Sequence, residues 1–133
     1  MMKKGFVGDI EELTEANTDF RRVIYTGQHL QLVLMSIGPG EEIGEEVHDD
    51  IDQFFRIEAG QGTITIDGVA HRVKADDAVV VPAGARHNVA CDGGEPLKLY
   101  TIYGPPEHVD GTVHKTCEDA HAAHEHFDGK TTE

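Results

Sequence analysis

Several things are scarce in this chain of 133 residues. Tryptophan is absent, and only two cysteines occur, Cys91 and Cys117. Two thiols cannot make a disulfide framework, so stability must come from packing. Basic residues are few: 11 Lys and Arg stand against 25 Asp and Glu, for a formal net charge of −14. That balance argues against nucleic acid and against anionic membrane surfaces, both of which need a basic footprint. Long apolar runs are missing too. The richest segment, Leu30 to Ile37, is interrupted by Gln31 and Ser36, far short of the roughly 18 apolar residues of a membrane span. Two lysines near the N-terminus have no apolar stretch behind them, which excludes a secretory signal pattern and leads us to expect a cytoplasmic protein.

What is present is a succession of short β-rich segments. Arg22–Thr26, His29–Ile37, Glu46–His48, Gln53–Glu58, Gly62–Ile66, His71–Lys74, Ala78–Val81, His87–Cys91 and Leu97–Tyr103 read as strands, each closed by turn residues. Asp67-Gly68 between two alternating runs is a strong hairpin signal. Leu30, Leu32 and Leu34 share one face of a strand, and Val33, Met35 and Ile37 the other. A strand apolar on both faces needs cover on both, and we expect the second cover from another sheet or from a second subunit in a homodimer. Asp9 to Ala16 has the cap and acidic first turn of a short helix, and Thr116 can cap a second one running from Cys117 toward Phe127. Residues 104–111 read as a loop, and 128–133 are expected to fray. At this length the chain is expected to form one domain over 1–133.

Two runs carry the chemistry. One is Gly40-Glu-Glu-Ile-Gly-Glu-Glu46-Val-His48, continuing through Gln53 to Gly60; the other is Asp76-Asp-Ala-Val-Val-Val-Pro82-Ala-Gly84-Ala-Arg-His87-Asn88. Residues 46 and 48 are two apart and so point to one face of a strand, while His87 opens another strand just past a Pro-x-Gly turn. A single histidine so placed would ordinarily be a hydrogen-bonded core residue.

Together the runs resemble the two motifs of the cupin superfamily, in particular its small single-domain members of the mannose-6-phosphate isomerase-like and pectin-degradation kinds. Gly40, Gly60, Pro82 and Gly84 match the frame of the motifs; Asp76 stands where the second motif opens with Gly, and Cys91 where it closes with Asn. The resemblance implies an all-β, antiparallel double-stranded β-helix, a jelly-roll barrel with its core at about 20–105. A short helix would precede it, and a loop and helical tail would follow at 106–133. It also implies a divalent metal ion (Fe, Mn, Ni, Co or Zn) held at four positions, here Glu46, His48, Gln53 and His87. The family's usual His-x-His-x4-Glu is altered: Glu46 replaces the first His and Gln53 the Glu. No thiolate falls among these positions, which weakens a structural zinc site. Two imidazoles and a carboxylate are similar to the facial triad of non-heme Fe(II).

Glu46 is the candidate catalytic acid or base if it is not itself a ligand. Three functions remain open: a metal-dependent enzyme isomerising or ring-opening a small sugar or sugar acid, an Fe(II) or Mn dioxygenase on a small organic substrate, and a non-catalytic small-ligand barrel. Tyr25, Tyr100 and Tyr103 are candidate pocket residues, and Arg56 and Arg86 candidates for steering an anion. His114, His121, His124 and His126 form a weaker candidate for a second metal site; exposed tail histidines are the plainer reading.

Overall fold

The computed structural model describes residues 4–133. In chain order the elements are α1 (Ile10–Ala16), β1 (Arg21–Thr26), β2 (Gln31–Ile37), β3 (Glu46–Val47), β4 (Asp52–Ala59) and β5 (Gln61–Ile66). They continue with β6 (Val69–Lys74), β7 (Ala78–Val81), β8 (Arg86–Cys91), β9 (Leu97–Gly104), β10 (Val113–His114) and α2 (Cys117–Ala122). The strands form two antiparallel sheets. One has six strands in the order β10-β1-β2-β9-β4-β7, the other four in the order β3-β8-β5-β6. This is the all-β jelly-roll barrel that the motifs imply.

Alternation builds the core. Val33, Met35 and Ile37 of β2, Phe55 and Ile57 of β4, and Leu97 and Leu99 of β9 are completely buried, and they share one cluster with Ile64 of β5 and Val89 of β8 from the other sheet. Truncating a fully buried phenylalanine such as Phe55 to alanine would cost about 3–5 kcal/mol. At one end the inner face turns polar. Register aligns Gln31, Tyr103, Gln53 and Val81 across β2, β9, β4 and β7, and all four are buried. That polar row places the site.

Turns are held by local chemistry. Asp67 and Gly68, at φ 47° and 83°, close the β5–β6 hairpin, with Ile66 opposite Val69. Asp76 adopts φ 77°, a left-handed backbone that aspartate tolerates better than most residues. This explains how it can stand at a position where the family motif has glycine.

Outer cover for β2 comes from within the chain. Leu34 is buried and lines a groove with Phe6 and Leu13, while Lys98 Nζ donates to Glu15 O and Asn17 O, each at 2.8 Å, tying α1 to the sheet. A second subunit is not needed to bury Leu34, although Leu30 remains exposed. No helix among the described residues is long and apolar enough to cross a membrane.

The C-terminal segment departs from expectation. Thr116 caps α2 as expected, its Oγ1 accepting from Asp119 N, but the helix stops at Ala122 and does not reach Phe127. Beyond it the chain is recruited to the barrel: Phe127 N donates to Glu107 O at 2.8 Å. Residues 128–133 are held as well, since Thr132 N donates to Thr26 O at 2.9 Å and Thr26 N to Thr132 Oγ1 at 2.7 Å. Between the loop read at 104–111 and α2, a stretch to which no strand was assigned forms β10, paired with β1 through Arg21 opposite His114.

Candidate metal centre

The strand parity read from the sequence is realised. Glu46 on β3 lies directly opposite His87 on β8, and His48 follows β3 immediately. The Pro82–Gly84 turn is fastened to that strand by Gly84 N donating to His48 O at 2.8 Å. One candidate ligand atom from each of Glu46, His48 and His87 lies within 4.8 Å of the others.

Each imidazole is oriented by its far nitrogen. His87 Nδ1 faces Ala85 O at 3.2 Å, so Nδ1 carries the proton and Nε2 keeps a free lone pair. His48 Nδ1 faces Glu107 Oε2 at 3.4 Å, which fixes the same tautomer when the ring is neutral. The carboxylate–histidine pair is a common support for a metal-binding imidazole. Gln53 is fixed by a relay. Thr101 Oγ1 donates to Phe54 O at 2.8 Å and therefore accepts from Gln53 Nε2 at 3.0 Å, leaving the Gln53 carbonyl oxygen to point elsewhere.

The result is three buried polar atoms with no hydrogen-bond partner: His48 Nε2, His87 Nε2 and Gln53 Oε1. All three are lone-pair acceptors. Buried polar atoms without partners are rare because each costs about 1–3 kcal/mol. Two imidazole nitrogens and an amide oxygen beside a carboxylate fit a divalent cation; His48, His87 and Gln53 are the residues that would hold it, with Glu46 beside them either as a further ligand or as a free carboxylate.

The electrostatics separate the two histidines. Burial opposes charge on His48, but the Glu107 hydrogen bond and the charges of Glu46 and Glu107 outweigh it and raise its pKa. His87 is held below the ordinary imidazole value by burial, which the Ala85 carbonyl and Glu46 only partly offset. Burial works against charge on Glu107 as well, yet its bonds to His48 and His126 keep it more acidic than a free glutamate. Burial raises the Tyr103 hydroxyl far above its usual range.

Three supporting residues were not singled out by sequence reasoning. Glu107 sits in the segment read as a plain loop. Gln31, which looked like an interruption of an apolar strand, is fully buried and uses its whole amide: Nε2 donates to Thr26 Oγ1 and His108 O, and Oε1 accepts from Glu107 N and His108 N, at 2.8–3.2 Å. Glu125 receives His108 Nδ1 at 2.6 Å and Val109 N at 3.0 Å. A polar residue in an otherwise apolar strand was the one available signal, and it pointed to Gln31.

Other candidates resolve plainly. Tyr103 packs edge-on to His48, with ring centroids 5.9 Å apart, and its hydroxyl lies 3.2 Å from His108 Nε2. Tyr25 instead bonds Gly5 N and Glu133, and Tyr100 pairs with Phe54. Arg56 pairs with Glu58 and Asp76, and Arg86 with Glu45. The tail histidines do not converge: His114 meets Arg21, His121 meets the carbonyls of Glu42 and Ile43, and His126 meets Glu107. Cys91 is buried and donates to Glu95 O.

A cavity of about 270 Å³ adjoins this centre, bordered by Glu46, Glu107, Arg21, Ile43 and the tail around His124.

The cupin domain family model matches residues 33–103, which span both motifs and, of the polar row, Gln53, Val81 and Tyr103. This chain belongs to the cupin family. It is 48% identical over 126 residues to protein YrkC of Bacillus subtilis, covering 90% of this chain and 68% of that one. It is 41% identical over 113 residues to protein L612 of Acanthamoeba polyphaga mimivirus, covering 81% and 70% respectively. Among solved structures, that of BH2720 from Bacillus halodurans superposes with a TM-score of 0.89 at 47% identity, over 90% of this chain and 96% of the other.

Proposed function

We propose that this cupin holds one divalent cation on His48, His87 and Gln53, that Glu46 beside them stays free as acid and base, and that the protein isomerises or ring-opens a small sugar or sugar acid in the adjoining cavity. The observation that carries the reading is the convergence of unpartnered, buried acceptor atoms beside Glu46. Bound there, a divalent cation supplies Lewis acidity toward a carbonyl or hydroxyl oxygen.

The chain's own contribution is positioning and proton transfer. Glu46 is the most exposed of the clustered groups: its side chain is 32% accessible, against 9% for His48. It is therefore the carboxylate that can meet a substrate. In an aldose–ketose exchange Glu46 takes the proton from the hydroxyl-bearing carbon and returns it to the neighbouring former carbonyl carbon. The hydroxyl proton passes to the former carbonyl oxygen, so the sugar gains and loses nothing overall. The tail residues that border the cavity limit water access to the reacting carbon.

The test begins with elemental analysis of natively purified protein, followed by assays of uronates and sugar phosphates with the metal found. Glu46→Gln should retain the fold and some metal but lose turnover by about 100-fold or more, the scale of a removed general base. Unchanged turnover removes Glu46 from that role. A dioxygenase reading is favoured by one observation, the clustering of two imidazoles with one carboxylate. Assays without O2 separate the readings, because only an oxygenase must stop.

A further inference from the structure

Arg21 opens β1 on its inward face, where alternation would ordinarily place an apolar side chain. Its register neighbour on β2 is Met35, which in turn lies opposite Leu99 on β9. Arg21 is only 6% exposed, and it makes no ion pair among the described residues. Its polar contact is Nη1 donating to His114 Nδ1 at 3.2 Å; its Nε is buried without a partner, and the Phe20 ring centroid lies 5.6 Å from its Cζ. Guanidinium does not shed its charge at any ordinary pH, so burial cannot be relieved by neutralisation. A buried cation left unpaired is costly.

The nearby carboxylates are already engaged. Glu45 pairs with Arg86 at 2.6 Å, Glu107 lies between His48 and His126, and Glu125 takes His108 at 2.6 Å. Glu46 belongs to the metal-side cluster. Arg21 thus borders the cavity it shares with Glu46 as a cation without an ion-pair partner among the described residues, its charge felt at longer range by Glu125. With Nη1 turned to His114, the edge that carries Nε is left for an acceptor of two parallel N–H bonds, and a planar carboxylate matches that edge.

We propose that Arg21 anchors a carboxylate of the small molecule that reaches Glu46, which makes the substrate a sugar acid rather than a neutral sugar. This rests on the reading of the cavity as the substrate site. It adds that specificity comes from a salt bridge on the β1 side, away from the metal ligands.

The test uses the full chain, loaded with zinc and labelled with 15N-arginine. The Arg21 Nε–H resonance, assigned by its loss in Arg21→Lys, is followed while acetate, its neutral isostere acetamide, or inorganic phosphate is added. Acetate should shift it saturably, acetamide should not, and phosphate should bind more weakly than acetate. Arg21→Gln, compared with wild type by isothermal titration calorimetry, should weaken acetate binding about tenfold or more, as loss of a charged hydrogen bond does, at unchanged metal stoichiometry. No saturable acetate shift, an equal response to acetamide, tighter phosphate than acetate, or undiminished affinity in Arg21→Gln would each overturn the proposal. If Arg21→Gln does not fold, the wild-type titration decides. Repeating it on chelated protein separates the two readings. An acetate shift that persists without metal supports Arg21 whatever the fate of the metal centre, and failure of the centre shows only as absent metal.

Discussion

The two imidazoles of the candidate metal site are oriented from opposite kinds of structure. His87 is fixed locally, by the carbonyl of Ala85 in its own motif. His48 is fixed remotely, by Glu107, in a segment after β9 that belongs to neither motif. Gln31 in turn holds that segment from β2, taking both Glu107 N and His108 N on one amide oxygen. One ligand therefore depends on a turn of a few residues. The other depends on a chain of contacts joining β2, the segment after β9 and the tail. The difference gives this candidate metal site a locally held half and a half that depends on distant contacts.

The largest effect comes from deleting either ligand. His48→Ala or His87→Ala should abolish stoichiometric metal in chelated and reloaded protein, measured by elemental analysis. One-to-one metal in both variants would end the assignment of the centre. Next is the clamp. Gln31→Leu strands two backbone N–H groups and a carbonyl, so it should cost about 3 kcal/mol or more of unfolding free energy in denaturant titration, given about 1–3 kcal/mol for each buried group left unpaired. It should also weaken metal binding, whereas a stability loss with unaltered affinity would show that the clamp does not position His48. Glu107→Ala acts on the same half more gently. Loss of a carboxylate behind a ligating imidazole lowers metal affinity about 10–100-fold. A competition titration that finds the same affinity as wild type would break the asymmetry.

The same division explains what could be read in advance. The barrel was legible because alternation and turn chemistry are local: Asp67-Gly68 closes its hairpin as read, and the strand series matches to within a residue or two at most ends. Glu46, His48 and His87 were legible because motif spacing and parity bring them together. Glu107 and Glu125 were not, because their roles depend on the path of the chain beyond β9, which has no period to follow. The tail misled for the same reason. A capped, alanine-rich run supports a helix on propensity, but beyond Ala122 the bonds of Glu125, His126 and Phe127 to residues 107–109 favour an extended path.

The smallest effect is also the most direct reading of the asymmetry: the order in which the two rings titrate in metal-free protein. His48 is raised above the ordinary imidazole value of about 6.5 and His87 is lowered below it. A raised folded pKa means that His48 contributes stability fully below about pH 6.5 and loses it as pH rises through its folded value. His87 has the opposite sign. Its contribution is present above about pH 6.5 and is lost as pH falls through its depressed value. Ring-proton NMR should therefore show His48 deprotonating at higher pH than His87 in wild type. In Glu107→Ala the hydrogen bond and one of the two favourable charges on His48 are gone while burial remains, so its midpoint should move down toward that of His87. If the order is reversed in wild type, or if His48 does not move in the variant, then Glu107 is not what distinguishes the two halves of the site.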